Sequence, residues 1–176
     1  MPHGRPPLGD LWRGLWRGLD AGSPGPHMRR MEDPFVRPED PSAAAAIAAI
    51  GDDLAVFDDW MDRYQFIIEL GRKLPPFPAA WQDDSHRVAG CQSKVWLAAT
   101  TENGRMFLAG TSDAAIVAGL VALLLRVYSG RDAAEIGATD PVFLRDLGLL
   151  EALSTNRGNG IAAMARKIRE LAAAEN

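Results

Sequence analysis

Cysteine is nearly absent from this chain: Cys91 is the only one in 176 residues. A single cysteine excludes an internal disulfide and fits a reducing compartment, for which the cytoplasm is the expectation. It also excludes a zinc site built from several cysteines, or an iron–sulfur cluster held by this chain alone. Histidine is scarce, and His86 is the only one after residue 27. Long apolar runs are missing too. The longest, from Ala114 to Leu125, has twelve residues before Arg126, where a membrane span needs about twenty. A buried helix is the expectation there, and no membrane partner.

Basic charge is thin outside the first thirty residues, which carry five arginines against two aspartates. The remainder holds fourteen basic and twenty-one acidic residues, and between Glu39 and Asp62 there are seven acidic residues and no basic one. An acidic body argues against a phosphate backbone as the main partner, so no nucleic acid is expected. The length suits one domain with a proper hydrophobic core.

Residues 1–41 are rich in proline and glycine and read as a disordered or non-structural extension; residues 42–176 read as the domain. Within the extension Leu11-Trp12-Arg13-Gly14 repeats directly as Leu15-Trp16-Arg17-Gly18. Two glycines weaken any helix there. An Arg-rich segment poor in acids also fits a targeting peptide, and an upstream start with Met28 or Met31 as the truer beginning is a further reading.

From Ser42 the pattern is helical. Ile47, Ile50, Leu54 and Phe57 fall at helix spacing behind Ser42 as cap. Asp58 or Asp59 caps a second helix carrying Trp60, Tyr64, Ile67, Ile68 and Gly71, and Leu74-Pro75-Pro76 ends it. Val95–Thr100 and Arg105–Ala109 read as strands of a hairpin turned at Asn103-Gly104, with His86–Ala89 as a short strand ahead of them. The most apolar helix starts at Gly110–Asp113, with Asp113 as cap, and stops at Gly130. Asp140-Pro141 opens a short helix ended by Gly148. Ser154-Thr155 opens the last one, with Ile161, Met164, Ile168 and Leu171 on one face. Helices, then a small antiparallel sheet, then helices make an α+β layer fold.

Chemistry concentrates at Cys91, which follows Gly90 and is flanked by His86, Arg87 and Lys94. The reactive species is the thiolate, and an ordinary thiol with pKa near ~8.5 is only a few per cent ionised at neutral pH. Nearby positive charge favours ionisation, and Gly90 removes a Cβ that would obstruct a large partner. A lone cysteine is most often a small buried hydrophobe; the polar neighbours Gln92, Ser93 and Lys94 argue against that here.

Gly90-Cys91-Gln92-Ser93-Lys94-Val95-Trp96 resembles the signature of the SufE-like sulfur acceptors of cysteine desulfurases. Tyr64 to Gly71 with Leu74-Pro75, Ser112 to Val117 with Gly119-Leu120, and Leu153 to Gly160 resemble three further segments of that family, in the same order. The resemblance covers about residues 43 to 174 and implies a compact α+β fold shared with iron–sulfur scaffold proteins. It implies Cys91 as persulfide acceptor from a pyridoxal-phosphate (PLP) cysteine desulfurase, stimulation of that enzyme, and delivery of sulfur to an iron–sulfur scaffold complex. It further implies a shielded thiol exposed on docking, with PLP on the partner and no cofactor or metal on this chain.

Arg157 matches a family arginine near the cysteine loop, where a guanidinium can stabilise thiolate or persulfide. Gly90, Gln92, Ser93, Lys94, His86 and Asp113 are the expected partner-binding residues, and a homodimer is kept open. The rival reading is a thiol-dependent enzyme with Cys91 as nucleophile, which needs a base and a third orienting group; His86 is the only candidate base.

Overall fold

The computed structural model describes residues 33–150 and 153–175. The first helix, α1 (Ala43–Ala55), starts where Ser42 Oγ accepts a hydrogen bond from the Ala45 amide at 3.0 Å. The second, α2 (Trp60–Arg72), starts where Asp59 Oδ1 accepts from the Met61 and Asp62 amides. Both satisfy amide groups that the first turn of a helix leaves without partners. Pro75 and Pro76 follow the end of α2, and a short 3-10 turn, Ala79–Trp81, leads towards the cysteine loop.

Strands β1 (Val95–Glu102) and β2 (Arg105–Ser112) form a two-stranded antiparallel sheet, paired from Val95 with Ser112 to Glu102 with Arg105. Asn103 and Gly104 turn the hairpin with φ of 51° and 76°, the mirror-image turn whose twist matches that of the strands. Helix α3 (Ala115–Tyr128) follows, then α4 (Ala133–Ala138), α5 (Phe143–Asp146) and α6 (Thr155–Ala174). The α+β class read from the sequence is the fold observed. No described helix is long and apolar enough to cross a membrane.

Helix α3 is the centre of the molecule. Of its fourteen residues only Ala115 and Arg126 are not buried, because α2 and the hairpin cover it, with α1 and α6 at its sides. Its contact with α2 brings backbone against backbone. A Cβ on Gly119 would lie 2.1 Å from the Ile67 carbonyl oxygen, and one on Gly71 would lie 2.5 Å from the Gly119 nitrogen. Only glycine fits at such a crossing.

Three expectations change. Residues 33–41 are packed on the body, so the structured part begins before residue 42. Val36 is 2% exposed, and its amide bonds the Leu108 carbonyl at 2.8 Å along the outer edge of β2. Asp40 accepts two hydrogen bonds from Arg126, whose third goes to Asp53, and the Asp40 carbonyl accepts from the buried Arg131. Residues 1–32, with the Leu-Trp-Arg-Gly repeat, lie outside the described residues.

Second, His86–Ala89 contributes one bridge to β1, Arg87 with Trp96, and no strand. Third, α4 was not expected. Six residues are too few for a periodic pattern, although Asp132 caps it by accepting from the Glu135 amide. The Glu135 carboxylate in turn accepts from the Ala43 amide at 2.7 Å.

Candidate functional site at the cysteine loop

The loop carrying Cys91 is held at both ends. On one side, the Val88 amide bonds the Val95 carbonyl and the Leu97 amide bonds the His86 carbonyl, each at 2.9 Å. On the other, Lys94 is clamped by Asp113: its amide donates to Asp113 Oδ1 at 3.0 Å, and its carbonyl accepts from the Asp113 amide at 3.2 Å. Asp113 therefore extends the hairpin ladder one rung beyond Val95 and Ser112. It does not cap α3, as the sequence suggested; the nearby Ala114 amide is met by Ser112 Oγ instead. Between these anchors the chain reverses at Gly90, whose φ of +86° an L side chain rarely adopts.

The loop lies against α6. A Cβ on Gly90 would contact Ala163 at 3.6 Å, and one on Gly160 would lie 3.4 Å from Cys91 Sγ. The thiol itself sits 3.4 Å from the Gly160 carbonyl oxygen, to which its S–H donates. Cys91 is half-buried and opens into a cleft of about 290 Å³. Gln92, Ser93 and Arg157 line the cleft, with Val117, Gly160 and Ile161 as its remaining walls.

Burial decides the electrostatics. Removal of water from around Cys91 pushes its pKa up, and the positive charge of Arg87 opposes this without overcoming it. The expectation that flanking positive charge favours ionisation holds for Arg87, and burial outweighs it, so the resting group is the protonated thiol.

Of the residues singled out from sequence, Cys91, Gln92, Ser93 and Arg157 share the cleft, and Gly90 and Asp113 shape the loop. The Lys94 side chain is exposed and lines no part of it. His86 is engaged elsewhere. Its Nδ1 donates to Asp83 Oδ1 at 2.8 Å, and its ring stacks on Trp81 with centroids 5.8 Å apart. Bonds from the Ser85 hydroxyl and then from His86 hold the Asp83 carboxyl down at about 2. His86 lines no part of the cleft that holds Cys91, and among the described residues no hydrogen bond joins the two side chains. Gly160, Ile161 and Val117 were missed as site residues. A glycine inside a helix, where it weakens the helix, was the available signal for Gly160.

Comparison with known proteins accords with this geometry. Residues 48–172 match the family SufE, described as an Fe-S metabolism associated domain. An uncharacterised SufE-like protein of Rhizobium etli is 44% identical over 131 residues, covering 72% of this chain and 88% of that protein. A second one, of Rhizobium meliloti, is 42% identical over 67% of this chain and 88% of its own length. The sulfur acceptor protein CsdE of Escherichia coli is 40% identical over 65% of this chain and 79% of its own. The solution structure of a hypothetical protein from Thermus thermophilus has a similar fold, with a TM-score of 0.62 at 22% identity, covering 73% of this chain and 94% of that one. The family match spans most of the described domain, including the cysteine loop and the helix it packs on, and on that basis the chain belongs to the SufE family of Fe–S metabolism proteins.

Proposed function

We propose that this protein is a sulfur acceptor, loaded on Cys91 by a PLP-dependent cysteine desulfurase and unloaded to an iron–sulfur assembly scaffold. The observation that carries the reading is the placement of the chain's only thiol. It is half-buried and lines a cleft together with Arg157, on a loop that turns at Gly90. The similarity to CsdE, named a sulfur acceptor protein, supports it.

The transfer is a thiol–persulfide exchange. The Cys91 thiolate attacks the outer sulfur of the desulfurase persulfide; a new S–S bond forms on Cys91, the donor's S–S bond breaks, and the donor cysteine leaves as thiolate. One thiolate is consumed and one released, so the step needs no external oxidant or reductant. The Gly160 carbonyl holds the S–H at rest, and the proton must leave before attack. Arg157 then offers N–H donors and charge to the anionic sulfur. Removal of sulfur regenerates the donor thiolate, and this is how an acceptor stimulates a desulfurase. PLP stays with the partner.

Burial of the resting thiol keeps it protonated and poorly nucleophilic, which protects against stray alkylation and oxidation. A partner shifts the loop to an exposed form only by binding that form better. The test is direct. With a cognate desulfurase and free cysteine, Cys91 should gain the mass of one sulfur atom, removable by reductant, and Cys91→Ser should gain none. Equal loading of the Cys91→Ser protein would refute the assignment.

A further inference from the structure

The cationic side chains of the described domain fall into two groups. Arg37 bonds Asp33 and Glu102, Arg63 the Phe57 carbonyl, Arg72 the Glu69 carboxylate and Arg105 the Gly130 carbonyl. Arg126 and Arg131 are held at Asp40, Arg145 pairs with Asp146, and Arg169 bonds the Gly137 carbonyl. Lys73 lies in the field of Glu69. The second group is Arg87, Lys94, Arg157, Arg166 and Lys167. All five are exposed, and among the described residues no acceptor or carboxylate stands within bonding distance of their side chains.

The second group is not scattered. Arg87 and Lys94 flank the cysteine loop, and Arg87 acts on Cys91 through its charge. The loop packs on α6 at Gly160 and Ala163. Positions three and four residues apart on a helix share a face, so Arg157 lies one turn before this contact, and Arg166 and Lys167 lie one turn after it. At 1.5 Å rise per residue the cations of α6 span about 15 Å, with the thiol between them. Among the described residues, the cations without a bonded partner thus lie in one rim beside one sulfur.

We infer that this rim is a docking surface for an acidic face of the sulfur-donating desulfurase, whose carboxylates surround the donor persulfide. The inference rests on the sulfur-acceptor reading and adds the chemistry of the partner's contact surface. A protein fits better than a nucleic acid, because exposed acids close the rim on several sides: Asp113 beside Lys94, Asp84 three residues before Arg87, and Glu170 four residues past Arg166. A tracking phosphate backbone would run into these carboxylates; a compact acidic patch would not. Complementary charge at a rim of this kind speeds encounter and fixes orientation, and its effect declines as salt screens it.

The experiment measures loading of Cys91 by the source organism's purified cysteine desulfurases, using intact mass, across 20 to 300 mM KCl. It compares the natural protein with Arg166→Glu/Lys167→Glu, Arg166→Gln/Lys167→Gln and Arg166→Lys/Lys167→Arg. These side chains support no described contact in the fold and lie outside the cleft. The charge-reversed protein should need about tenfold more acceptor for half-maximal loading at low salt. Its limiting rate should be unchanged and its salt dependence flatter; the Gln pair should fall between, and the Lys/Arg swap should behave as the natural protein.

Glutathione persulfide, a small donor that needs no docking, should load all four proteins alike. Equal half-saturation and equal salt dependence for natural and reversed proteins would overturn the inference while leaving the acceptor reading intact. So would a parallel loss with glutathione persulfide, which would place the effect in the thiol's own chemistry. Salt-dependent binding of a DNA duplex that vanishes in the reversed protein, with desulfurase loading unmoved, would also overturn it. Failure of every desulfurase to load the natural protein would instead remove the acceptor reading, and the docking surface with it.

Discussion

The backbone of Gly160 and the sulfur of Cys91 are in direct contact: the thiol lies 3.4 Å from the glycine carbonyl, and a Cβ on Gly160 would lie 3.4 Å from the sulfur. Sixty-nine residues separate them in sequence. The contact means that α6 forms the inner wall of the thiol site. A persulfide places a second sulfur on Cys91, and glycine at position 160 leaves this wall without a side chain.

Substitution Gly160→Ala separates stability from reactivity. Alanine raises intrinsic helix stability by about 1 kcal/mol, which offsets the crowding at the sulfur, so the melting temperature should move by no more than about 3 °C. Loading with persulfide should slow, and Gly160→Val should slow it further. Unimpaired loading of the valine variant would show that the persulfide points away from α6.

The α2–α3 crossing gives a larger and purely structural effect. At Gly119 an added Cβ meets the Ile67 carbonyl at 2.1 Å, and backbone cannot step aside without separating the helices. Overpacking of this kind should cost about 3 kcal/mol or more, read as a fall in denaturation midpoint. Gly137→Ala, with nothing within 4 Å of the added Cβ, is the control and should be neutral or slightly stabilising.

Asp113→Ala removes the acceptor of the Lys94 amide and frees one anchor of the cysteine loop. The bond is exposed, so the stability loss should stay near ~1 kcal/mol. The local effect should be larger. Alkylation of Cys91 by iodoacetamide should accelerate severalfold as the loop leaves α6 more often. Alkylation at the natural rate in a folded Asp113→Ala protein would mean that α6, not this clamp, controls access.

The pH dependence of Cys91 follows from its raised pKa. Alkylation should still be climbing above pH ~8.5, where an ordinary thiol is already half ionised. Arg87→Ala should move the midpoint further up, since Arg87 favours the thiolate. The folded protein keeps this proton to higher pH than the unfolded chain. Its contribution to stability is therefore fully present below the unfolded thiol value and is lost as pH rises through the folded one. A midpoint at or below the ordinary thiol value would contradict the burial described.

Much of the fold is local chemistry and was legible as such. Ser42 and Asp59 start helices because their side chains reach amides two or three residues on. Asn103-Gly104 turns the hairpin because both residues accept positive φ. The expected inward residues of α6, Ile161, Met164 and Ile168, are buried. The prominence of Cys91 was equally plain, as one thiol among polar neighbours after a glycine. Each of these signals is complete within a few residues.

The remainder depended on which distant elements meet. Asp113 looked like a helix cap because it precedes a helix; the fold spends its carboxylate on Lys94, across the hairpin mouth. Residues 33–41 carry no periodic signal, yet a sheet edge, Arg126 and Arg131 hold them in place. Flanking cations in the sequence favour ionisation of the thiol, but a pKa depends on solvation as well as charge. The solvation of Cys91 is set by packing of its loop on α6, which sequence neighbours do not encode. In the same way, Arg87, Lys94, Arg157, Arg166 and Lys167 are ordinary surface charges along the chain. They become one rim only because the loop and the helix lie side by side.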